Sequence, residues 1–393
     1  MADAEGRRFS LRVGLFCVAI FGAIGIHMPF FPLWLSGQGL NDTEIAAIVA
    51  APLFLRIVLS PVLAGAADRL PSLAHASALY ALIAALLLLG LAFADGFWPI
   101  LILAAGAMVF WNVLIPFADA VLIVGVRDHG IDYGRVRLWG SVGFIAANLG
   151  AAAILRGLAG DAILVLLGGM FLMGSLLGFF MPRVAAPRGV EPFGVRRALS
   201  DPILRRSLVA GGLILAAHAA YYTFGSVYWR GLGFSTGTIG ALWAFGVFVE
   251  IVLFYFVKHL RGWGARKFLL VGGIGALVRW LLFPLAVTPE AAFALQTLHG
   301  ATFAATHLGV VMAIGAVATP GHTARIQATH QLVAGFLVAV ATLGCGPLYR
   351  LEPAAAFAGM SCLSAIGLWL AFGLPRGLQP QTAGEGGSTI APE

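Results

Sequence analysis

The sequence predicts an all-α integral membrane protein of twelve transmembrane helices arranged as two pseudo-symmetric six-helix bundles. Of its 393 residues, 60% are hydrophobic and only 10% are charged, too few charges to keep a soluble chain of this length dispersed. Apolar runs of roughly 20 residues, the length that crosses a bilayer, recur twelve times. A polar, strongly basic stretch divides those runs into two sets of six.

The first set covers residues 11–35, 43–66, 73–94, 97–125, 137–156 and 160–181. Arg7 and Arg8 precede the first run and Arg12 lies at its start, with no small-residue cleavage site after it, which predicts an uncleaved first span. The fourth run is long enough to tilt. The second set covers 206–229, 236–257, 267–286, 289–317, 323–348 and 354–374. Between the sets, residues 182–205 carry Pro182, Pro187, Pro192 and Pro202 among Arg183, Arg188, Arg196, Arg197 and Arg205. The chain thus divides into an N-terminal bundle (1–181), a basic cytoplasmic linker (182–205), a C-terminal bundle (206–375) and a disordered cytoplasmic tail (376–393). Cys17, Cys345 and Cys362 lie in apolar runs without ligand spacing, as buried small hydrophobes, and no metal site is expected.

Orientation follows from the basic residues. With the N-terminus inside, nineteen of the 24 Lys and Arg fall on the inner side, the outer loops keep Arg156, Arg230 and Arg350, and Arg56 and Arg279 lie within spans. That is the positive-inside asymmetry. Both termini are expected in the cytoplasm of a bacterial inner membrane, and the net charge of +7 needs no nucleic-acid partner.

A charge at mid-bilayer is costly enough to need a reason. Of 17 acidic residues, Asp119 and Glu250 alone lie well inside spans. Arg56 and Arg279 join them, with Arg137 at the inner end of the fifth span. Glu250 lies roughly 12 Å from Lys258 at 1.5 Å of rise per residue. Gln296, His299, Phe303 and Thr306 share one helical face, with His307 on its flank. Proton coupling needs a carboxyl whose proton affinity depends on burial and on a nearby cation. Glu250 with a movable Arg279 has that logic; Asp119 and His299 are the further candidates. The same two side chains could also simply pair to hold helices together.

Charge counting bears on the cargo. Three arginines, Arg56, Arg137 and Arg279, face two acids, leaving one positive charge that a carboxylate solute would neutralise, and the guanidinium fork suits a carboxylate. Tyr221, Tyr222, Phe224, Tyr228, Trp229, Phe30, Phe31 and Trp34 supply aromatic surface, although such residues also serve packing and interfacial belts.

Several motifs resemble known families. Gly65-Ala66-Ala67-Asp68-Arg69 between the second and third spans is similar to the loop motif of the major facilitator superfamily, without its trailing G-R-R. The stretch from Lys258 to Lys267 is a degenerate second copy. Tyr133-Gly134-Arg135-Val136-Arg137, His218-Ala219-Ala220-Tyr221-Tyr222, Val278-Arg279-Trp280 and Gln296-Thr297-Leu298-His299-Gly300 together resemble the 3-phenylpropionate transporter family, over nearly the whole chain. A more distant resemblance is to lactose permease and its relatives, whose acid and arginine on the fourth and fifth helices match Asp119 and Arg137. Their Glu, Arg and His on helices eight to ten match Glu250, Arg279 and His299, but Thr302 stands where they carry a second acid. The resemblance implies a monomeric major facilitator fold that moves a small organic solute with protons by alternating access. An aromatic monocarboxylate is the leading cargo and a sugar or nucleoside the alternative; a transporter-like sensor or membrane enzyme is remote. Gly65, Asp68 and Arg69 would act in the conformational change. Arg56, Asp119, Arg137, His218, Tyr221, Tyr222, Arg279, Gln296, His299 and His307 would bind solute. The expected partners are solute, protons and lipid, with the proton gradient in place of a cofactor.

Overall fold

The computed structural model describes residues 2–156, 160–185, 195–260, 262–318 and 322–379. Arg188, Arg261, residues 186–194 of the predicted linker and the tail from residue 380 lie outside the described residues. Twelve spans are present, each long and apolar enough to cross a membrane. In the N-terminal half these are α1 (Ala2–Gly37), α2 (Asp42–Ala67), α3 (Leu73–Gly90), the pair α4 (Phe97–Asn112) and α5 (Leu114–His129), α6 (Tyr133–Ile154) and α7 (Ala162–Phe180). A short α8 (Val195–Ser200) follows. The C-terminal half has the pair α9 (Pro202–Ala216) and α10 (Ala219–Gly231), then α11 (Thr236–Phe256) and α12 (Ala265–Leu282). Its last elements are the pair α13 (Pro289–Gln296) and α14 (Thr306–Val317), α15 (Thr323–Leu351) and α16 (Pro353–Phe372).

Polar residues in the connections set where spans begin. Asn41 and Glu44 close a reciprocal capping box on α2, Asp132 accepts the Arg135 N–H, and Ser235 accepts the Thr238 N–H. Asp201 caps α9 through the Ile203 and Leu204 N–H groups, with Pro202 in the first turn, where a missing donor costs nothing. The seventh span therefore starts four residues before its apolar run, and the fifth starts at Tyr133, so Arg137 sits a turn inside the helix. The tail also starts later than the composition suggests: the Leu378 carbonyl accepts the Ala265 N–H at 2.8 Å.

Three spans are broken, which periodicity does not reveal. The fourth does not merely tilt; it is interrupted at Val113. Pro116 has no N–H to give the Asn112 carbonyl, so the ladder must lapse there. In the seventh, His218 Nδ1 lies 3.2 Å from both the Ile214 and Leu215 carbonyls, a side chain inserted into the backbone ladder. The tenth passes through a π-helical turn, Gly300–Ala305, which widens the helix as such turns often do at functional sites.

The two halves converge at the end that carries Gly37 and Asp42. A Cβ at Gly240 on α11 would lie 2.7 Å from the Ala152 Cβ on α6, and one at Gly346 on α15 would lie 2.6 Å from the Ala46 Cβ on α2. Both contacts need glycine because the helices cross almost backbone to backbone. At the opposite end the halves splay: α11 buries nothing beyond Gly246, and α2 buries nothing between Pro52 and Ala67. Gly65, Asp68 and Arg69 lie exposed at that end, and neither Asp68 nor Arg69 has a side-chain partner among the described residues. Of the thiols, Cys17 and Cys345 are buried as expected, but Cys362 is exposed on α16.

A bulky residue at the crossing should force the closed end apart. Gly240→Trp is expected to raise maleimide labelling of buried Cys345 by about fivefold or more, a shift typical of a two-state bias. Unchanged labelling would mean that the contact does not hold this end shut.

Candidate functional site

A cavity of about 330 Å³ lies between the halves. The N-terminal half lines it with residues of α1, α2, α4 and α5, and the C-terminal half with residues of α9, α10, the π-turn and α15. Its walls are mostly apolar, and four aromatic side chains face it: Phe31 and Trp111 from one half, Tyr222 and Phe303 from the other. A largely apolar pocket with few polar groups is the usual form of a small-molecule site.

Arg56 is the cation of this cavity. It lies fourteen residues after the start of α2, about 21 Å along the helix at 1.5 Å per residue, and so near the middle of its span. Its guanidinium passes over Gly335 of α15, where a Cβ would lie 2.0 Å from Nη2. No described residue offers it a hydrogen bond or an acid. His27 also lines the cavity, stacked on Phe31 (centroids 4.7 Å apart) and edge-on to Trp111 (5.1 Å). Asn112, at the break between α4 and α5, has a buried side-chain nitrogen without a partner and faces the same space.

Behind the C-terminal wall stands a second constellation. Arg279 of α12 has no exposed surface, and its guanidinium donates to His299 Nδ1 at 2.7 Å, to Thr302 Oγ1 at 3.2 Å and to Gln296 Oε1. Gln296 in turn donates to Tyr221 Oη at 2.9 Å and to the Leu242 carbonyl at 2.7 Å. His299 Nε2 lies 2.7 Å from Glu250 Oε1. Because a guanidinium only donates, His299 Nδ1 must be unprotonated; the ring proton is on Nε2 and is donated to Glu250. Similar logic applies to His218, whose Nδ1–H serves backbone carbonyls and whose Nε2 accepts from Thr302 at 3.0 Å.

The direct Glu250–Arg279 pairing read from sequence is therefore replaced by a relay, Glu250–His299–Arg279. The single face drawn through the tenth span also divides. Gln296 and His299 enter the relay, Phe303 lines the cavity, and Thr306 turns away to bond the Thr302 carbonyl. His307 is half-buried on α14, within electrostatic reach of Glu250. Asp119 and Arg137, expected to bind solute, instead pair with each other, Nε to Oδ1 at 3.2 Å, outside the cavity lining. Tyr133 donates to the same Asp119 oxygen at 3.0 Å, and the Arg137 guanidinium covers the Phe21 ring at 4.5 Å. The sequence does not single out Trp111, Asn112 or Gln331, and it marks Thr302 only as the position where an acid is missing. Pro116 was the available sign of the break that exposes Asn112.

This fold, with a mid-membrane cavity between two six-helix halves, defines a major facilitator transporter. Residues 10–358 match the MFS_1 like family, and the chain belongs to it. A probable 3-phenylpropionic acid transporter of Escherichia coli (strain K12) is 32% identical over 345 residues, covering 84% of this chain and 88% of the relative. A maltose permease of Geobacillus stearothermophilus is 26% identical, covering 68% and 69%. Among solved structures, the nucleoside transporter NupG superposes with a TM-score of 0.80 at 13% identity, covering 93% of this chain and 97% of that one.

If Asp119 and Arg137 serve each other, removing one should leave an uncompensated, part-buried charge. Asp119→Asn and Arg137→Gln are each expected to lower thermal stability in detergent, and the double variant to regain most of the loss. Failure of the double variant to recover would mean that one of the two has another partner, such as the solute.

Proposed function

We propose that this protein is a proton-coupled symporter of an aromatic monocarboxylate such as 3-phenylpropionate, working by alternating access. The observation that carries the reading is Arg56: a mid-span guanidinium with no acid among the described residues, set in a cavity with aromatic rings from both halves. Of the three intramembrane arginines, Arg137 has Asp119 and Arg279 is joined to Glu250 through His299. Arg56 is the surplus, and a carboxylate completes it. The 32% identity to a probable 3-phenylpropionic acid transporter supports the same cargo.

In this proposal the carboxylate takes the Arg56 fork and the ring lies among Phe31, Trp111, Tyr222 and Phe303. Glu250 carries the proton. While Arg279 holds His299 Nδ1, the imidazole stays neutral and leaves Glu250 Oε1 an acceptor, so a proton on this carboxyl sits on Oε2. With the basic loops inside, the converged end is the outer one, and the structure represents the carrier open toward the cytoplasm. Localisation follows as a multi-pass protein of the bacterial inner membrane, with both termini cytoplasmic. Asp68 and Arg69 would find partners when that side closes.

The deciding experiment is uptake into proteoliposomes under an imposed inward proton gradient, with labelled 3-phenylpropionate, maltose and uridine compared. Uptake of the acid alone is expected; uptake of maltose or uridine instead would overturn the cargo. Arg56→Gln should weaken binding of the acid by roughly tenfold to a hundredfold, the range for one charge-assisted hydrogen-bonded pair. It should also abolish the preference for the acid over 3-phenylpropionamide. Equal preference in wild type and variant would remove Arg56 from the site. Glu250→Gln should eliminate accumulation against a gradient while sparing exchange between equilibrated compartments; normal accumulation would place the proton elsewhere.

A further inference from the structure

The cavity and the Glu250 relay do not touch: none of Glu250, Arg279, Gln296, His299, Thr302 or His218 lines the cavity. Two side chains have one side on the cavity and the other on the relay, and so link a solute there to the Glu250 carboxylate. Tyr222 stacks on His218 with centroids 5.5 Å apart and planes 29° apart. Phe303 stacks on His299, at 5.9 Å and 15°, and meets His218 edge-on at 6.3 Å.

Phe303 has the tighter mechanical link. It shares the tenth span with His299 and sits inside the π-turn, a backbone arrangement that can tighten to ordinary α-helix by a shift of one residue. His299 has little room to recoil. A Cβ on Gly246 would lie 3.2 Å from His299 Cδ2, and the backbone of α11 backs the ring on that side. With α11 close to the Cδ2 edge of the imidazole and the Phe303 ring nearly parallel to it, a displacement of Phe303 bears on how that imidazole can turn. The bond that then changes is the 2.7 Å contact from Nε2 to Glu250.

We propose that Phe303 is the coupling side chain of this carrier: a positioning residue that converts occupancy of the cavity into a change of the His299–Glu250 hydrogen bond, and so ties proton uptake to solute binding. This rests on the reading of the cavity as the site of an aromatic monocarboxylate.

The test compares Phe303→Leu, which keeps apolar bulk but removes the stacking face, with Phe303→Tyr, which keeps the face. Each is reconstituted beside wild type, and three quantities are read: exchange of labelled 3-phenylpropionate, its accumulation under a proton gradient, and protons taken up per solute by an internal pH dye. For Phe303→Leu the ratio of accumulation to exchange should fall by about tenfold, within the usual span of coupling energies, and protons per solute should fall with it. Phe303→Tyr should restore both. Wild-type stoichiometry and accumulation in Phe303→Leu would overturn the proposal. So would parallel loss of exchange and accumulation in both variants, which would make Phe303 a plain wall of the site. Absence of acid uptake by wild-type protein would instead sink the cargo reading on which the proposal stands.

Discussion

A guanidinium buried beyond all contact with water or lipid must have its hydrogen bonds supplied by protein, because hydrocarbon offers none. Arg279 imposes that condition on the C-terminal half. Its donors fix Gln296, His299 and Thr302, and through Gln296 they place Tyr221 and the Leu242 carbonyl of α11. Its flat cation also lies 4.8 Å over the Tyr221 ring and 4.5 Å over that of Trp280, where cation–π attraction is strongest when desolvated. The π-turn that follows His299 belongs to this arrangement, in a span that presents Gln296, His299 and Thr302 to one cation. In the N-terminal half the Asp119–Arg137 pair plays a smaller version of this part.

The division of labour between the two sites follows from where polar groups can be satisfied. The relay is mostly made of groups that complete one another, with the Arg279 Nε–H left over and Glu250 keeping part of its surface exposed. The cavity holds groups left incomplete: the Arg56 guanidinium and the Asn112 amide nitrogen. Incomplete donors are where a solute gains affinity, since binding it removes a cost already present. The rings of Tyr222 and Phe303 stand between the two sites.

Much of this was legible in the sequence, for identifiable reasons. Span number came from apolar run length, which the bilayer enforces directly. The count of three arginines against two acids came out as one unpaired cation. The residues of the relay are all in view in the sequence, but Thr302 stands there only as a missing acid and gains its role by facing Arg279 and His218 together. What escaped was whatever depends on exact rotation. A helical wheel drawn at constant pitch through 296–307 cannot represent a π-turn, so Phe303 was grouped with His299 and not placed on the cavity side. Asp119 and Arg137 were matched to a binding pair by residue type, whereas the faces of α5 and α6 direct them to Tyr133 and Phe21. Pro116 predicts a lapse in hydrogen bonding, but sequence does not say that the freed Asn112 would face the cavity.

The solitary cation of the cavity also has an electrical consequence. Moving one elementary charge through the membrane potential is worth about 2.3 kcal/mol per 100 mV, so the charge a carrier shows on each leg decides what voltage can do to it. In the proposed symport, taken as one proton with one carboxylate anion, the charges can be counted. The returning empty carrier has Arg56 and Arg279 positive and Glu250 negative; the loaded one has both arginines positive, the anion negative and Glu250 neutral. The sum is the same on both legs, and no net charge crosses. A carrier built this way answers to the difference in acidity across the membrane and leaves its voltage undisturbed, so a cell could fill with an acidic solute without spending its electrical potential.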